Sequence, residues 1–291
     1  MSGSVSARPG RLPELEIMGS IQIVVDNKAA DGFIAEHGFA LWISADGREI
    51  LFDTGNQEAL VPNARKLNLD FTSLTDLVIS HGHYDHTGGV ETVLQSAVDI
   101  EVYLHQAAMQ PRYVNDKEET RTVRMPAGSM RSLWDVPDDS LHWLTHPFKI
   151  TERIGLTGPI SRLTAYEDTG GAFYYDPFAR RPDPIEDDNA LWLQTPEGLI
   201  ICVGCSHAGI VNTIQAIVEM SGETRIRTVI GGLHLLHAAA ERLEKTVLAL
   251  NDFDLQQLVA CHCTGDEAFL YLADRLHCEL IQGYSGFSLV F

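Results

Sequence analysis

Apolar residues in this chain recur in short alternating runs separated by polar turns. Ile21 to Asp26, Phe39 to Ser44, Glu49 to Phe52, Thr75 to Ser80 and Ile100 to His105 read as strands, while Val90, Val93, Leu94 and Ala97 share one helix face. The second half repeats the arrangement. Leu141 to Ile150, Ile160 to Tyr166, Ala190 to Thr195 and Leu199 to Gly204 are predicted strands, followed by a helix with Ile210, Ile214, Ile217 and Val218 on one side. Arg227 to Ile230 is a further strand, Leu243, Val247 and Leu250 mark a helix, and Leu258 to Cys261 returns to strand. Thr264 with Glu267 three residues on has the form of a capping box for a helix running to about Leu276. Two blocks, each with strands first and helices after, predict two facing sheets with helices outside, a four-layer α/β sandwich.

Two stretches break the pattern. Residues 106–140 hold Asn115-Asp116-Lys117-Glu118-Glu119 and Pro126-Ala127-Gly128-Ser129, with Met109, Met125, Met130 and Trp134 scattered among them. They read either as a solvated insertion or as a lid over a pocket. The stretch from Gly170 to Asp188 carries Phe173, Tyr174, Tyr175 and Phe178, which either pin the loop to the core or stack on a flat ring.

The chemistry concentrates at His81-Gly82-His83-Tyr84-Asp85-His86, four metal-binding side chains in a six-residue segment directly after an apolar strand. On an extended backbone His81 and His83 point to one side, and a turn brings Asp85 and His86 round to face them. Imidazole and carboxylate are donors that zinc, iron and manganese share, and a water-accessible site of this kind generates hydroxide near neutral pH. His81, His83 and a third histidine are expected to hold one ion; Asp85, His86 and a fourth, the other. His207 and His262 fill the two places, each following a strand and standing among small residues. His234 also ends a strand and competes with His262 for the last position; it is assigned to substrate. Asp53, at the tip of Ile50-Leu51-Phe52, is placed to orient a ligand imidazole. Asn27, Glu36 and His37 are expected to reach the substrate, whereas His105, His142, His146, His237 and His277 read as surface or packing residues.

His81 to His86 followed by Thr87-Gly88-Gly89 resembles the signature of the metallo-beta-lactamase superfamily, and Leu51-Phe52-Asp53-Thr54-Gly55 resembles its first motif. Asp26-Asn27, Glu36-His37-Gly38, Gly204-Cys205-Ser206-His207-Ala208-Gly209-Ile210-Val211-Asn212, Gly231-Gly232-Leu233-His234-Leu235 and His262-Cys263-Thr264-Gly265 narrow the resemblance to the 7,8-dihydropterin synthase-like branch. Leu156-Thr157-Gly158-Pro159-Ile160 and the acidic run Asp183 to Asp188 fit that branch too. The resemblance implies the αββα sandwich topology and two divalent transition-metal ions, zinc first, with manganese or iron compatible. The sequence departs from the superfamily in two places: Glu186-Asp187-Asp188-Asn189 stands where a further histidine is expected, and the bridging Asp expected after Leu199 to Val203 is replaced near Cys205. Cys205 or Asp188 is therefore also a candidate for metal contact.

Motifs spread over most of the 291 residues favour a single domain from 19 to 291 after a loose tail at 1–18, which has no apolar signal segment. Cytoplasm is the expected compartment. Five cysteines, an odd number, argue against a disulfide framework. The net charge of −19 repels phosphate backbones and weighs against a nuclease. Expected partners are a small-molecule substrate and at most a second copy of the chain in a homodimer; neither nucleic acid nor membrane is expected.

The leading expectation is a binuclear hydrolase of a small phosphorylated or cyclic ester, in which a metal-bound hydroxide attacks and Asp85 and His207 are the catalytic side chains. The branch resemblance implies instead a transferase condensing a dihydropterin with a ribosyl-aminobenzene phosphate. An iron oxidoreductase and a sensor with little activity are the other classes, the last disfavoured because unpaired buried histidines are costly.

Overall fold

A computed structural model of the protein describes residues 19–116 and 119–291, so the tail read at 1–18 and Lys117 and Glu118 of the insertion lie outside the described residues. Two seven-stranded sheets dominate. The first runs, in spatial order, Ser288–Val290, Gly19–Val25, Ala40–Ala45, Arg48–Phe52, Asp76–Val78, Glu101–Leu104 and Leu141–Trp143. The second runs Glu279–Gln282, Asp254–Cys261, Arg225–Gly232, Gly198–Val203, Ala190–Thr195, Ile154–Leu156 and Phe148–Lys149.

Period-two alternation explains the layering. Leu41, Ile43, Ile50 and Phe52 of the first sheet meet Leu191, Leu193, Ile200 and Cys202 of the second in one central core. Their sequence neighbours face outward. Ala40, Trp42 and Leu51 pack with the helices Leu60–Lys66, Val90–Ser96 and Ala127–Trp134, and Ala190, Trp192, Leu199 and Ile201 pack with Ile210–Ser221, Ala240–Asp252 and Asp266–Ala273. The result is the αββα sandwich expected from the sequence. Arg48–Phe52 to Leu141–Trp143, and Gly198–Val203 to Glu279–Gln282, are parallel runs, so their C-terminal tips gather at one edge of each sheet.

Three elements differ from the sequence reading. Leu141 to Ile150 is two strands: Leu141–Trp143 closes the first sheet and Phe148–Lys149 the second, with the chain crossing between them at Pro147, whose missing N–H ends a ladder. Ile160 to Tyr166 is not a strand. The Leu163 and Thr164 amides donate to Asn212 Oδ1 at 2.9 and 3.0 Å, a side chain taking the place of a neighbouring strand, and Ile154–Leu156 fills the sheet position instead. The Thr264 capping box does not form, because its hydroxyl accepts from the Leu233 amide at 3.2 Å and Gly265 precedes the helix.

The 106–140 segment divides in two. Met125 and Leu133 are buried in the outer layer of the first sheet, with Met109 and Met130 packed on it, so this part is core and not solvated. Tyr113–Asp116 and Glu119–Thr122 instead form a hairpin that pairs with Phe173–Tyr174 in a small third sheet.

Candidate metal centre

Strand tips from both sheets deliver the site. Asp53 follows Arg48–Phe52, His81 to His86 follow Asp76–Val78, Cys205 to His207 follow Gly198–Val203, His234 follows Arg225–Gly232, and His262 follows Asp254–Cys261. Asp53, Ser206, His234 and His262 all hold left-handed backbone, with φ between 48° and 62°. Non-glycine residues are rarely found there, and such conformations collect where a site imposes them. Gly82 is needed for a different reason: a Cβ would collide with the Ala108 backbone, which lies against the metal-binding segment.

His81, His83 and His207 form the first group, with one donor atom from each within 4.8 Å of the others. Ser80 Oγ gives its proton to Asp53 Oδ2 at 2.6 Å and so accepts from His81 Nδ1 at 2.9 Å, leaving the lone pair on His81 Nε2. That atom lies 2.9 Å from His83 Nδ1. His207 Nδ1 donates to the Thr169 carbonyl at 2.7 Å, so its lone pair is on Nε2, which is buried without a hydrogen-bond partner. Burial, aided by neighbouring rings, holds all three histidines well below the ordinary value, and hence neutral.

Asp85 and His262 form the second with His37, while His86 groups with His81 and Cys205. His262 Nδ1 donates to Asn27 Oδ1 at 2.8 Å, which turns Nε2 toward Asp85 Oδ2 at 3.3 Å. His37 Nε2 approaches the same oxygen at 3.2 Å, and His86 Nε2 at 3.8 Å. Burial pushes the Asp85 carboxyl up, but His86 and the hydrogen bonds from His262 and His37 outweigh it and hold the group ionised. His86 Nδ1 donates to Asp53 Oδ2 at 2.7 Å. Burial disfavours its charge, yet Asp53 and Asp85 lift the ring to about 9. A carboxylate surrounded by imidazole nitrogens calls for positive charge between them, supplied by a proton or a cation. The neutral rings of His81, His83 and His207, with free lone pairs, fit a divalent transition ion, and one beside Asp85 could take the place of the His86 proton.

Cys205, His234 and Cys263 lie alongside. Cys205 Sγ is 3.2 Å from His86 Nε2, and the His234 ring centroid is 4.3 Å from that of His207. The structure thus separates the two competing histidines, His262 beside Asp85 and His234 between His207 and the thiols. A cleft of about 310 Å³ opens over all of these groups, flanked by the hairpin residues Val114, Asn115 and Arg121 and by Phe173. Phe173 lies against His83 with the rings tilted, 4.9 Å between centroids, while Phe178 is exposed.

Several sequence assignments change. Glu36 does not face the cleft; its carboxylate accepts the amides of Asn56, Gln57, Glu58 and Ala59 ahead of the helix Leu60–Lys66, an anionic cap on orphan N–H groups. Glu36→Ala is expected to lower unfolding free energy by about 1–2 kcal/mol in a urea titration with KM unchanged. Asn27 lines the cleft, and its main contact orients His262. His207 presents its Nε2 lone pair to His81 and His83. Asp188 joins none of the donor groups among the described residues: burial raises it to about 7, and Oδ2 accepts from the Ala208 amide at 2.6 Å. His237 is exposed, as read, and lies at the rim of the cleft.

Three residues in or beside the site escaped the sequence reading. Arg112 is fully buried and paired with both Asp183 and Asp187, and Asp187 also accepts the Gly82 amide at 2.8 Å. This network braces the segment between His81 and His83. An isolated Arg in an insertion has no periodic signal that reveals such pairing. Cys263, read only as a small neighbour of His262, is a third-group donor, and its proximity to Cys205 arises from the sheet alone. Arg121 lines the cleft from the hairpin, within the stretch read as either a solvated insertion or a lid.

Residues 35–216 match the family model of the metallo-beta-lactamase superfamily. A 7,8-dihydropterin-6-methyl-4-(beta-D-ribofuranosyl)-aminobenzene-5'-phosphate synthase of Methanocaldococcus jannaschii is 27% identical over 81% of this chain and 83% of its own. An uncharacterised protein of the same organism is 31% identical over 87% of this chain and 93% of its own. A crystallised metal-dependent hydrolase of the beta-lactamase superfamily superposes with a TM-score of 0.79 at 31% identity, covering 93% of this chain and 98% of that one. A metallo-beta-lactamase fold protein from Bacillus subtilis, at 9% identity and a TM-score of 0.54 over 94% of this chain and 99% of that one, shares the fold alone.

Proposed function

Since this chain belongs to the metallo-beta-lactamase superfamily, on its dihydropterin synthase-like side, we propose that it is a binuclear metal-dependent hydrolase of a small phosphorylated or cyclic ester. The observation that carries the reading is the buried, unpartnered His207 Nε2 facing His81 and His83. His81, His83 and His207 would hold one ion, and Asp85, His86 and His262 the other, zinc being the first choice for these donors. Such ions supply Lewis acidity at a phosphoryl or carbonyl oxygen and acidify water.

The protein's own groups do the rest. Asp53 and Asn27 fix the tautomers of His86 and His262 through their Nδ1 protons, and Thr169 does so for His207. Asp85, held ionised, orients the ring of His37, which is half exposed and opens onto the cleft, where it can exchange a proton with solvent. Arg121 is the one Lys or Arg among the described residues lining the cleft of a chain with net charge −19, and it gives an anionic substrate group a counterion.

A screen of phosphodiesters, phosphomonoesters, lactones and thioesters with zinc, manganese and iron tests the reading; no turnover of any class overturns it. Arg121→Ala is expected to raise KM for phosphorylated substrates about tenfold, the loss of one charged hydrogen bond, while leaving metal content and the KM for a neutral lactone unchanged.

The synthase relative supports a second reading, a transferase of that kind. What favours it is Phe173 at the cleft, near His83, where a flat ring can stack. Product formation from a dihydropterin and a ribosyl-aminobenzene phosphate, without ester hydrolysis, would select it. Whole-protein iron analysis with an optical spectrum separates both from an oxidoreductase.

A further inference from the structure

We propose that Cys205, Cys263 and His234 form a third cation position, rich in thiolate and distinct from the two histidine and carboxylate positions, that takes a soft divalent ion such as zinc or cadmium. It goes beyond the two ions of the reading above. The three donor atoms lie within 4.8 Å of one another. Both cysteines are free and buried, at 2% and 7% exposure, yet both line the cleft, so an ion can reach them.

Each donor is held in place by its own strand tip. Cys205 follows Gly198–Val203, His234 follows Arg225–Gly232 with φ at 48°, and Cys263 stands two residues past Asp254–Cys261. Gly232 leaves room for the thiol: a Cβ there would collide with Cys263 Sγ. His234 Nδ1 is buried and has no hydrogen-bond partner. Cys263 Sγ has the Cys205 carbonyl at 3.7 Å, a weak contact that leaves the sulfur available.

Two sulfurs and one imidazole nitrogen are three protein donors for a tetrahedral ion, with the fourth place open to the cleft. Sulfur donors favour zinc and cadmium over manganese or magnesium. On binding, each thiol releases its proton to solvent and binds as thiolate, and two thiolates with one dication are electrically neutral, which suits burial. Cys205 also stands within reach of His81 and His86, so a single thiolate on the second ion is the competing arrangement.

Cobalt(II) added alone to the metal-free, reduced full chain tests the proposal. The wild type and the control Cys278→Ser are expected to show both ligand-field bands and an intense thiolate-to-cobalt band in the near ultraviolet. Cys263→Ser and His234→Ala are each expected to lose one metal equivalent, and Cys263→Ser the sulfur band, with the ligand-field bands of the other positions kept. Ligand-field bands without a sulfur band in the wild type would overturn the third position and leave the histidine centre standing. A sulfur band that survives Cys263→Ser and vanishes in Cys205→Ser would overturn it in favour of the competing arrangement. Absence of both bands would overturn the third position and the binuclear reading together. Where a variant fails to fold, X-ray absorption on cadmium-loaded wild type decides: two sulfur neighbours around one cadmium support the position, and none or one overturns it.

Discussion

His83→Ala is expected to bind less metal and to lose turnover by on the order of 10³-fold, the scale of several kcal/mol of transition-state charge stabilisation. The ring is buried, sits 2.9 Å from His81 Nε2, and keeps a buried Nε2 without a protein partner. Alanine removes a donor that no neighbour can replace, because His234 is turned toward the thiols and His37 toward Asp85. Elemental analysis beside kcat for an ester found in the screen checks both halves. Full activity in a metal-depleted His83→Ala protein would end the hydrolase reading.

Arg112→Ala carries the largest expected effect on stability, about 3–5 kcal/mol of unfolding free energy in urea. The guanidinium has no exposure and lies between Asp183 and Asp187, themselves buried. Removing it strands two carboxylates in a medium that solvates charge poorly. Asp187 also accepts the Gly82 amide, so the loss extends to the segment bearing His81 and His83. The double variant Arg112→Ala, Asp187→Asn is expected to recover part of the difference, since one of the two unpaired charges is gone. An unchanged urea midpoint for Arg112→Ala would show that the pair contributes nothing.

The readable features were those whose physics is local. Unbroken apolar runs at Leu41 to Ile43 and Ile50 to Phe52 mark strands covered on both faces, and the sandwich follows from repeating that pattern twice. His81 to His86 lie within one turn of each other, so their convergence needs no tertiary information. His207 and His262 were legible as strand ends with small neighbours. Glu36 was misread because a carboxylate near a pocket and a carboxylate capping a helix look alike until the four amides are seen around it. Ile160 to Tyr166 has the alternation of a strand, but Asn212 supplies its hydrogen bonds. Arg112 and Cys263 act through residues more than fifty positions away, and no spacing along the chain records that distance.

The two histidine and carboxylate positions each draw donors from both sheets: His81 and His83 face His207, and Asp85 and His86 face His262. A bound cation would therefore act as a rivet through the seam between the two halves of the sandwich. Anything that binds the folded chain and not the unfolded one raises its stability by mass action. Grip on the ion and resistance to the halves parting are then one quantity, approached from opposite ends.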